Sequence, residues 1–436
     1  MANKYKLVFT VILFMAITMS VMSCNGCKHC TSGEAHSDME GPVVEEWVNQ
    51  YHCRDDNRTF VWALTHDSKG NVYITGGTTC SDERSSDYFT IKYDETGSKL
   101  WDAAYNHSAN KYDSAYDIAV DEEGYVYVTG FATNRPKSGT EDGSNQDYAT
   151  IKYNRDGEEI WVSIYDSGGE LDKATELALD EEGNVYVAGT IGVSKRFDRD
   201  TAYATVKYNS EGEQLWVARY SGEMEKLEHK VNELVVDDAG NVYVTGSRGT
   251  VKYDEDGNEK WVDSRDGESM AVDDSGSVYF TGSHGTIKLD SAGNTVWMAP
   301  HIGSDIALDQ SGNVYITGTS GTVKYDDSGN SLWIVNDGGS RIVLDSAGFA
   351  YVTHVERPEY AEDQDFTVAK YDHQGEKIWL AQYDGRRGDT DEVVDIAVDL
   401  KGDVYITGYS EFRKCSYLTH ETRYSEIVTI KYSQGS

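Results

Sequence analysis

Positive charge is what this sequence most lacks. Its 39 Lys and Arg stand against 75 Asp and Glu, for a net charge of −36. Nucleic acid and anionic lipid headgroups repel such a chain and are excluded as partners, whereas basic proteins, cationic ligands and divalent metals are favoured. Proline is nearly absent, at 4 of 436 positions, while Gly occurs 42 times, a balance that suits a β protein with many tight turns. The one long apolar run, Leu7 to Val21, is short for a membrane span. Catalytic motifs are missing too: there is no Gly-x-Ser-x-Gly, His-Glu-x-x-His, phosphate loop or full dinucleotide fingerprint. That excludes the chemistries those motifs carry, but not a site assembled from distant segments. The only Cys-x-x-Cys pair, Cys27 and Cys30, is half of what a structural zinc site needs.

The N-terminus reads as a targeting segment. Lys4 and Lys6 precede the apolar run, and Val21-Met22-Ser23-Cys24 follows it. These four residues resemble a bacterial lipoprotein cleavage box, which implies lipidation of Cys24; ordinary signal cleavage would leave Cys24 a thiol. The expected organisation is a signal peptide over 1–23, a flexible tether over 24–44 and a folded domain over 45–436. Loss of Lys4 and Lys6 takes the mature charge to −38. Several acyl chains on one Cys anchor stably, which places the protein on a membrane of the bacterial cell envelope, in the periplasm or at the surface, held by its lipid alone.

Two patterns alternate along the rest of the chain. The first, Asp-x-x-Gly followed by an apolar strand centred on Tyr, begins at Asp67, Asp121, Asp180, Asp237, Asp273, Asp309, Asp345 and Asp399. The second is exemplified by Thr90-Ile91-Lys92-Tyr93-Asp94, Gly97 and Leu100-Trp101. Each is a β-hairpin, and together they give four antiparallel strands, A to D, per repeat. This is the blade of a β-propeller. The eighth copy ends after Thr429-Ile430-Lys431-Tyr432 without a strand D, and Glu46 to Tyr51 supplies one from the other terminus. The fold class is therefore all-β: an eight-bladed propeller, monomeric, with its ring closed by the N-terminal strand. Seven blades with one degenerate repeat is the alternative.

Ala115-Tyr116-Asp117-Ile118-Ala119-Val120-Asp121, Tyr127-Val128-Thr129-Gly130 and Asp147-Tyr148-Ala149-Thr150-Ile151-Lys152-Tyr153 resemble the bacterial SBBP-type β-propeller repeat. The resemblance implies the fold and little about activity. Gly-x-x-x-Trp in each C–D hairpin is also similar to the tryptophan-docking motif of eight-bladed quinoproteins, with the Asp one residue closer to the Gly.

Residues shared by every blade serve what every blade needs, so the repeated Lys, Asp, Gly and Trp are structural. Function is expected where copies differ. The A–B and C–D turns keep their spacing, whereas B–C loops are long after Gly76, Gly130, Gly189, His354 and Gly408 and three residues after Gly246, Gly282 and Gly318. All insertions thus rise from one face, with a low sector over blades four to seven. Strand A begins on that face, where the central channel opens. There Asp117, Glu176, Glu233, Asp305 and Asp395 converge with Arg341. Such a ring is a hydrated channel lining, a cation site suited to Ca or Mg, or an acid–base centre. Cys53, Cys80 and Cys415 fall on the same face, and Cys53–Cys415 or Cys53–Cys80 are the candidate disulfides. His52, His107, His229, His284, His301, His354 and His420 lie in or beside its loops as surface residues. No cofactor is certain. The expected role is a binding or scaffold module for a protein, glycan or cationic ligand; the alternative is a metal-assisted lyase or hydrolase at the acidic mouth.

Overall fold

A computed structural model describes residues 36–52, 59–79, 85–107, 111–134, 145–169, 171–193, 201–222, 229–355, 365–385, 391–415 and 421–434. Cys24, Cys53 and Cys80 lie outside this set, as do His420 and most of the expected tether. The described residues form eight antiparallel sheets, seven of four strands and one of five. None of their helices is long and apolar enough to cross a membrane.

Each blade is organised around its turn Asp. In blade one, Asp67 Oδ1 accepts hydrogen bonds from the backbone N–H of Lys69 and Asn71, and Oδ2 accepts from the Tyr73 hydroxyl at 2.9 Å. The same tyrosine-to-aspartate bond recurs in all eight blades at 2.8–3.3 Å. The repeated Lys of strand C lies over that tyrosine ring, 4.5–5.4 Å from its centroid. These tyrosines are among the largest fully buried side chains, so the polar tip of each is satisfied where its ring is dry.

A second device joins each blade to the next. The strand D Trp pairs with the repeated Lys and sits beneath a C–D turn glycine of the neighbouring blade. Thus Trp47 meets Gly97, Trp101 meets Gly157, Trp161 meets Gly212 and Trp216 meets Gly257; Trp261, Trp297 and Trp333 meet Gly293, Gly329 and Gly375. These glycines hold φ between 81° and 84°, and an added Cβ would lie 2.7–2.9 Å from the indole. Only glycine fits both conditions. Each of these seven indole N–H groups also donates to the carbonyl two residues before that glycine, at 2.8–3.2 Å.

The borrowed strand closes the ring as the sequence predicts. Val43–Tyr51 pairs with Glu421–Gln434, placing Trp47 opposite Lys431. Trp47 then docks on blade one, and Asp395 Oδ2 accepts the backbone N–H of Leu64 across the same seam at 2.8 Å.

The domain boundary differs from the expectation. Residues 36–44 belong to the propeller and not to the tether. His36–Glu40 adds a fifth strand to blade seven, antiparallel to Lys377–Asp384, and Gly41 turns the chain into blade eight. Gly41, with φ of 91°, turns the chain against the Ile378 carbonyl and the Cα and Cβ of Trp379, and Trp379 is the most buried of the eight strand D indoles.

Replacing Trp216 by Ala should cost about 3 kcal/mol of stability. Starting the chain at Val43 should lower the melting temperature yet leave one cooperative transition. Starting it at His52, without Trp47, should abolish cooperative unfolding followed by circular dichroism; a chain so shortened that melts like the full protein would refute the closure.

Candidate functional site: an acidic waist below a long-loop face

Strand A lines the channel, and its register decides what points inward. In six blades a bulge interrupts strand A, between Val61 and Ala63, Ala115 and Asp117, Ala174 and Glu176, Val231 and Glu233, Gly339 and Arg341, and Val393 and Asp395. A bulge re-aims the residue that follows it. Ala63, Asp117, Glu176, Glu233, Ser269, Asp305, Arg341 and Asp395 therefore form one layer, each opposite the same position of strand B. The structure brings together all six residues expected at the mouth, but at another depth. Asp117 lies in the middle of Ser114–Val120, and only in blades five and six does the ring residue begin its strand. The ring is a waist below the rim, because the long blades extend strand A past it.

Three of the carboxylates have clear structural work. Asp117 Oδ1 accepts from Ile118 N–H at 2.8 Å and Oδ2 from Leu177 N–H of the next blade at 2.7 Å. Asp305 bridges Ile306 and Ile342 in the same way, and Asp395 bridges Ile396 and Leu64. An Asp is the right length to hold its own backbone and its neighbour's together. Glu176 and Glu233 are too long for that grip. Glu176 accepts no hydrogen bond among the described residues, and Glu233 meets only Ser269 Oγ, at 3.4 Å. Ser269 Oγ donates at 2.9 Å to Asp305 Oδ1, the shorter of its two carboxylate contacts.

Electrostatics agree. All five carboxylates keep some accessible surface and Arg341 is exposed, but that surface opens onto the channel. Burial pushes Asp117 up to about 7 and Asp395 to about 6. Burial together with Asp305 and Asp117 lifts Glu233 to about 8, and Glu176 is raised by burial, Asp117 and Glu233. Burial disfavours the charge of Arg341, but Asp305, Asp395, Glu233 and Glu176 outweigh it and hold the guanidinium protonated. One Arg cannot neutralise five carboxylates, so the waist takes up protons or a cation. Glu176 and Glu233 are the members free of backbone bonds, and an oxygen set of this kind suits Ca or Mg.

Two further carboxylate groups escaped the sequence reading. Asp147, Asp166 and Asp172 bring their oxygens within 4.8 Å of one another between blades two and three; Asp365, Asp384 and Asp391 do so between blades seven and eight. Burial, Asp365 and Asp384 raise Asp391 to about 7. Their signal was present as an Asp opening strand C and another opening the next strand A, a pairing visible only once the inter-blade contacts are known. Asp172 also closes its own loop, accepting from the N–H of Ser167 and Gly192.

Above the waist the rim is uneven. Strands B and C extend to Val126–Asn134 and Asn145–Tyr153 in blade two, and to Val404–Cys415 and Glu421–Gln434 in blade eight. Blades four to six have five-residue strands joined by two-residue turns, Ser247-Arg248, Ser283-His284 and Thr319-Ser320. These loops are one residue shorter than expected, because Gly249, Gly285 and Gly321 already pair as strand C. Two of the predicted surface histidines are interior. His229 is 4 % exposed against Thr201, and His354 is 7 % exposed between Gly338 and Tyr371. Cys415 ends the blade-eight hairpin opposite Glu421, six residues past Tyr409, whose strand neighbour Ile427 faces Tyr51. That register carries it about 20 Å beyond the level of Tyr51; its candidate partner Cys53 lies outside the described residues. On the opposite face a cavity of about 510 Å³ lies among the A–B turns of blades six to eight, lined by Leu308, Asp309, Leu344, Asp345 and Leu400.

Comparison with known proteins agrees with this architecture. Residues 108–134 and 378–411 match the SBBP beta-propeller repeat, and residues 148–286 match a family described as outer membrane protein assembly factor BamB. The chain is an eight-bladed propeller that carries SBBP-like repeats and is similar to quinoprotein-like propellers, a fold that serves in general as a scaffold or binding module. No curated protein matches it. Among solved structures it is similar to a protein of unknown function from Bacteroides caccae, at 15 % identity and TM-score 0.34, over 57 % of this chain and 90 % of that one. It is also similar to the extracellular domain of the two-component system BT3049 from B. thetaiotaomicron, at 12 % identity and TM-score 0.38, over 82 % and 55 %. A third is PorZ of Porphyromonas gingivalis, a surface component of the type-IX secretion system, at 13 % identity and TM-score 0.42, over 83 % and 54 %. The chain spans about half the length of the last two. These likenesses concern the fold alone.

The waist fixes a pH dependence. In the folded state Asp395, Asp117 and Glu233 are raised to about 6, 7 and 8, above the range near 4 of the unfolded chain. The native state therefore holds protons that the unfolded state has lost, and stability falls as pH rises from about 4 through 8. Glu233→Gln should raise the melting temperature at pH 9 and leave it nearly unchanged at pH 5. An equal shift at both pH values would contradict the assignment.

Proposed function

We propose that this SBBP-type propeller is carried on a lipid at Cys24, outside the cytoplasm, and binds a protein partner through its long-loop face. The observation that carries the reading is the one-sided variation of the blades. All eight A–B turns repeat the same backbone bonds, as do the seven continuous C–D turns, whereas the B–C connections range from two residues to the ten between Asn134 and Asn145. A scaffold that holds one face constant and elaborates the other concentrates recognition on the elaborated side. The match of residues 148–286 to an assembly-factor family favours a protein over a glycan or small cation as partner. The negative charge favours a basic surface on that partner.

A metal-assisted lyase or hydrolase at the waist is the second reading, favoured by the raised carboxyls of Glu176 and Glu233. It is the weaker one, since Asp117, Asp305 and Asp395 are already committed to joining blades.

Replacing residues 135–144 by Asn-Gly, between strand ends that already pair at Asn134 and Asn145, should leave the melting temperature within a few degrees. It should also abolish recovery of the partner that the tagged full-length protein pulls from membranes. Undiminished recovery of the same partner would count against this face. Loss of a chelatable Ca or Mg in the double variant Glu176→Gln and Glu233→Gln, with partner recovery intact, would favour the second reading.

A further inference from the structure

The fifth strand of blade seven has a direction, and that direction orients the whole molecule. His36 pairs with Asp384 and Glu40 with Leu380. Strand D of blade seven, Lys377–Asp384, starts at the C–D turn and ends at the connection to blade eight on the long-loop face. His36 therefore sits at the level of the long-loop face, and the chain descends from there toward Gly41 and Trp379 on the turn face. The segment that leads back to Cys24 leaves the propeller from its long-loop rim.

Twelve residue steps separate Cys24 from His36. A chain of that length has a root-mean-square reach of about 19 Å and a limit of about 40 Å. A seven-residue strand such as Lys99–Tyr105 alone measures about 23 Å, and the turns add to the height of the wheel. An anchor attached at the long-loop rim thus falls short, on average, of the opposite face. Fixing the rim through five paired residues instead of letting the tether begin at residue 45 is what makes this geometry definite.

From this we infer that the long-loop face is turned toward the membrane that holds the anchor, and that its partner is a protein of that same membrane standing within tether reach. The inference rests on the lipid anchor proposed above. The bilayer surface itself is disfavoured as the occupant, because a chain of net charge −36 is repelled by anionic headgroups.

Ser320 and Ser328 report the two faces of one blade. Both are exposed, Ser320 in the B–C turn of blade six and Ser328 in its C–D turn. A fluorophore is placed at either site of the full-length lipidated protein, bound to phosphatidylcholine vesicles that carry an acceptor lipid. Transfer should be higher from position 320 than from 328. The difference should be lost when about 30 Gly/Ser residues are inserted after Gly33, since the root-mean-square reach then rises to about 36 Å. Equal or reversed transfer from a vesicle-bound protein would overturn the orientation alone. If the protein, like its Cys24→Ser variant, stays off the vesicles, the anchor fails and the orientation with it. Quenching of the Ser320 label by lipids brominated in the acyl chain would make the bilayer the occupant and overturn the membrane-protein partner.

Discussion

An indole pressed beneath a left-handed glycine is the contact on which this protein is built. A single four-stranded blade cannot bury both of its faces; neighbouring sheets pack along strands A and B near the channel, and at the outer edge strand D of one blade passes under the C–D turn of the next. Glycine at that turn supplies the backbone conformation and removes the Cβ that would collide with the ring. The Trp in turn donates its N–H to the turn carbonyl, so that packing and hydrogen bonding specify the same distance. Repeated around the wheel, this contact requires a partner at the seam as well. The N-terminal strand meets that demand: Trp47 completes blade eight and docks beneath Gly97 of blade one.

The consequences divide the molecule by face. The turn face carries the docking glycines and the Asp–Tyr bonds, so its loops cannot lengthen without loosening the joint between blades. The other face is free of that constraint, and it is there that strands extend, loops grow and the connection between blades seven and eight varies. The inner wall follows the same logic. An Asp on strand A ties each of three blades to its successor, whereas Glu at the equivalent place in blades three and four releases that tie and leaves two carboxyls for protons or a cation.

Much of this is legible in the chain itself. Eight turn aspartates at a recurring offset from a Tyr, with a Trp nine residues after seven of the eight strand C lysines, define the blade, and the mismatch between Trp47 and the truncated last repeat defines the closure. The six waist residues were also readable, since the repeat itself supplies their alignment. Their depth was not, because nothing in the amino-acid pattern shows how far strand A of the long blades extends past them. His36–Glu40 escaped because His-Ser-Asp-Met-Glu has none of the alternation or β-branching of a strand; it pairs because the seam offers an edge. His229 and His354 looked like loop histidines in sequence and are buried by contacts from neighbouring segments, Thr201 in one case and Gly338 with Tyr371 in the other. What varies with tertiary context stayed hidden, and what repeats did not.

The docking contact can be isolated by comparing glycines that share a backbone conformation and differ only in what lies above them. Gly257 and Gly168 both have positive φ, of 81° and 86°, but an added Cβ meets Trp216 at the first and nothing within 4 Å at the second. Thermal unfolding of Gly257→Ala and Gly168→Ala is therefore the direct test. Gly168→Ala should cost about 1–2 kcal/mol from backbone strain, with Gly257→Ala losing substantially more. Equal losses at the two positions would show that the glycines serve the turns alone and that the ring is held by something else.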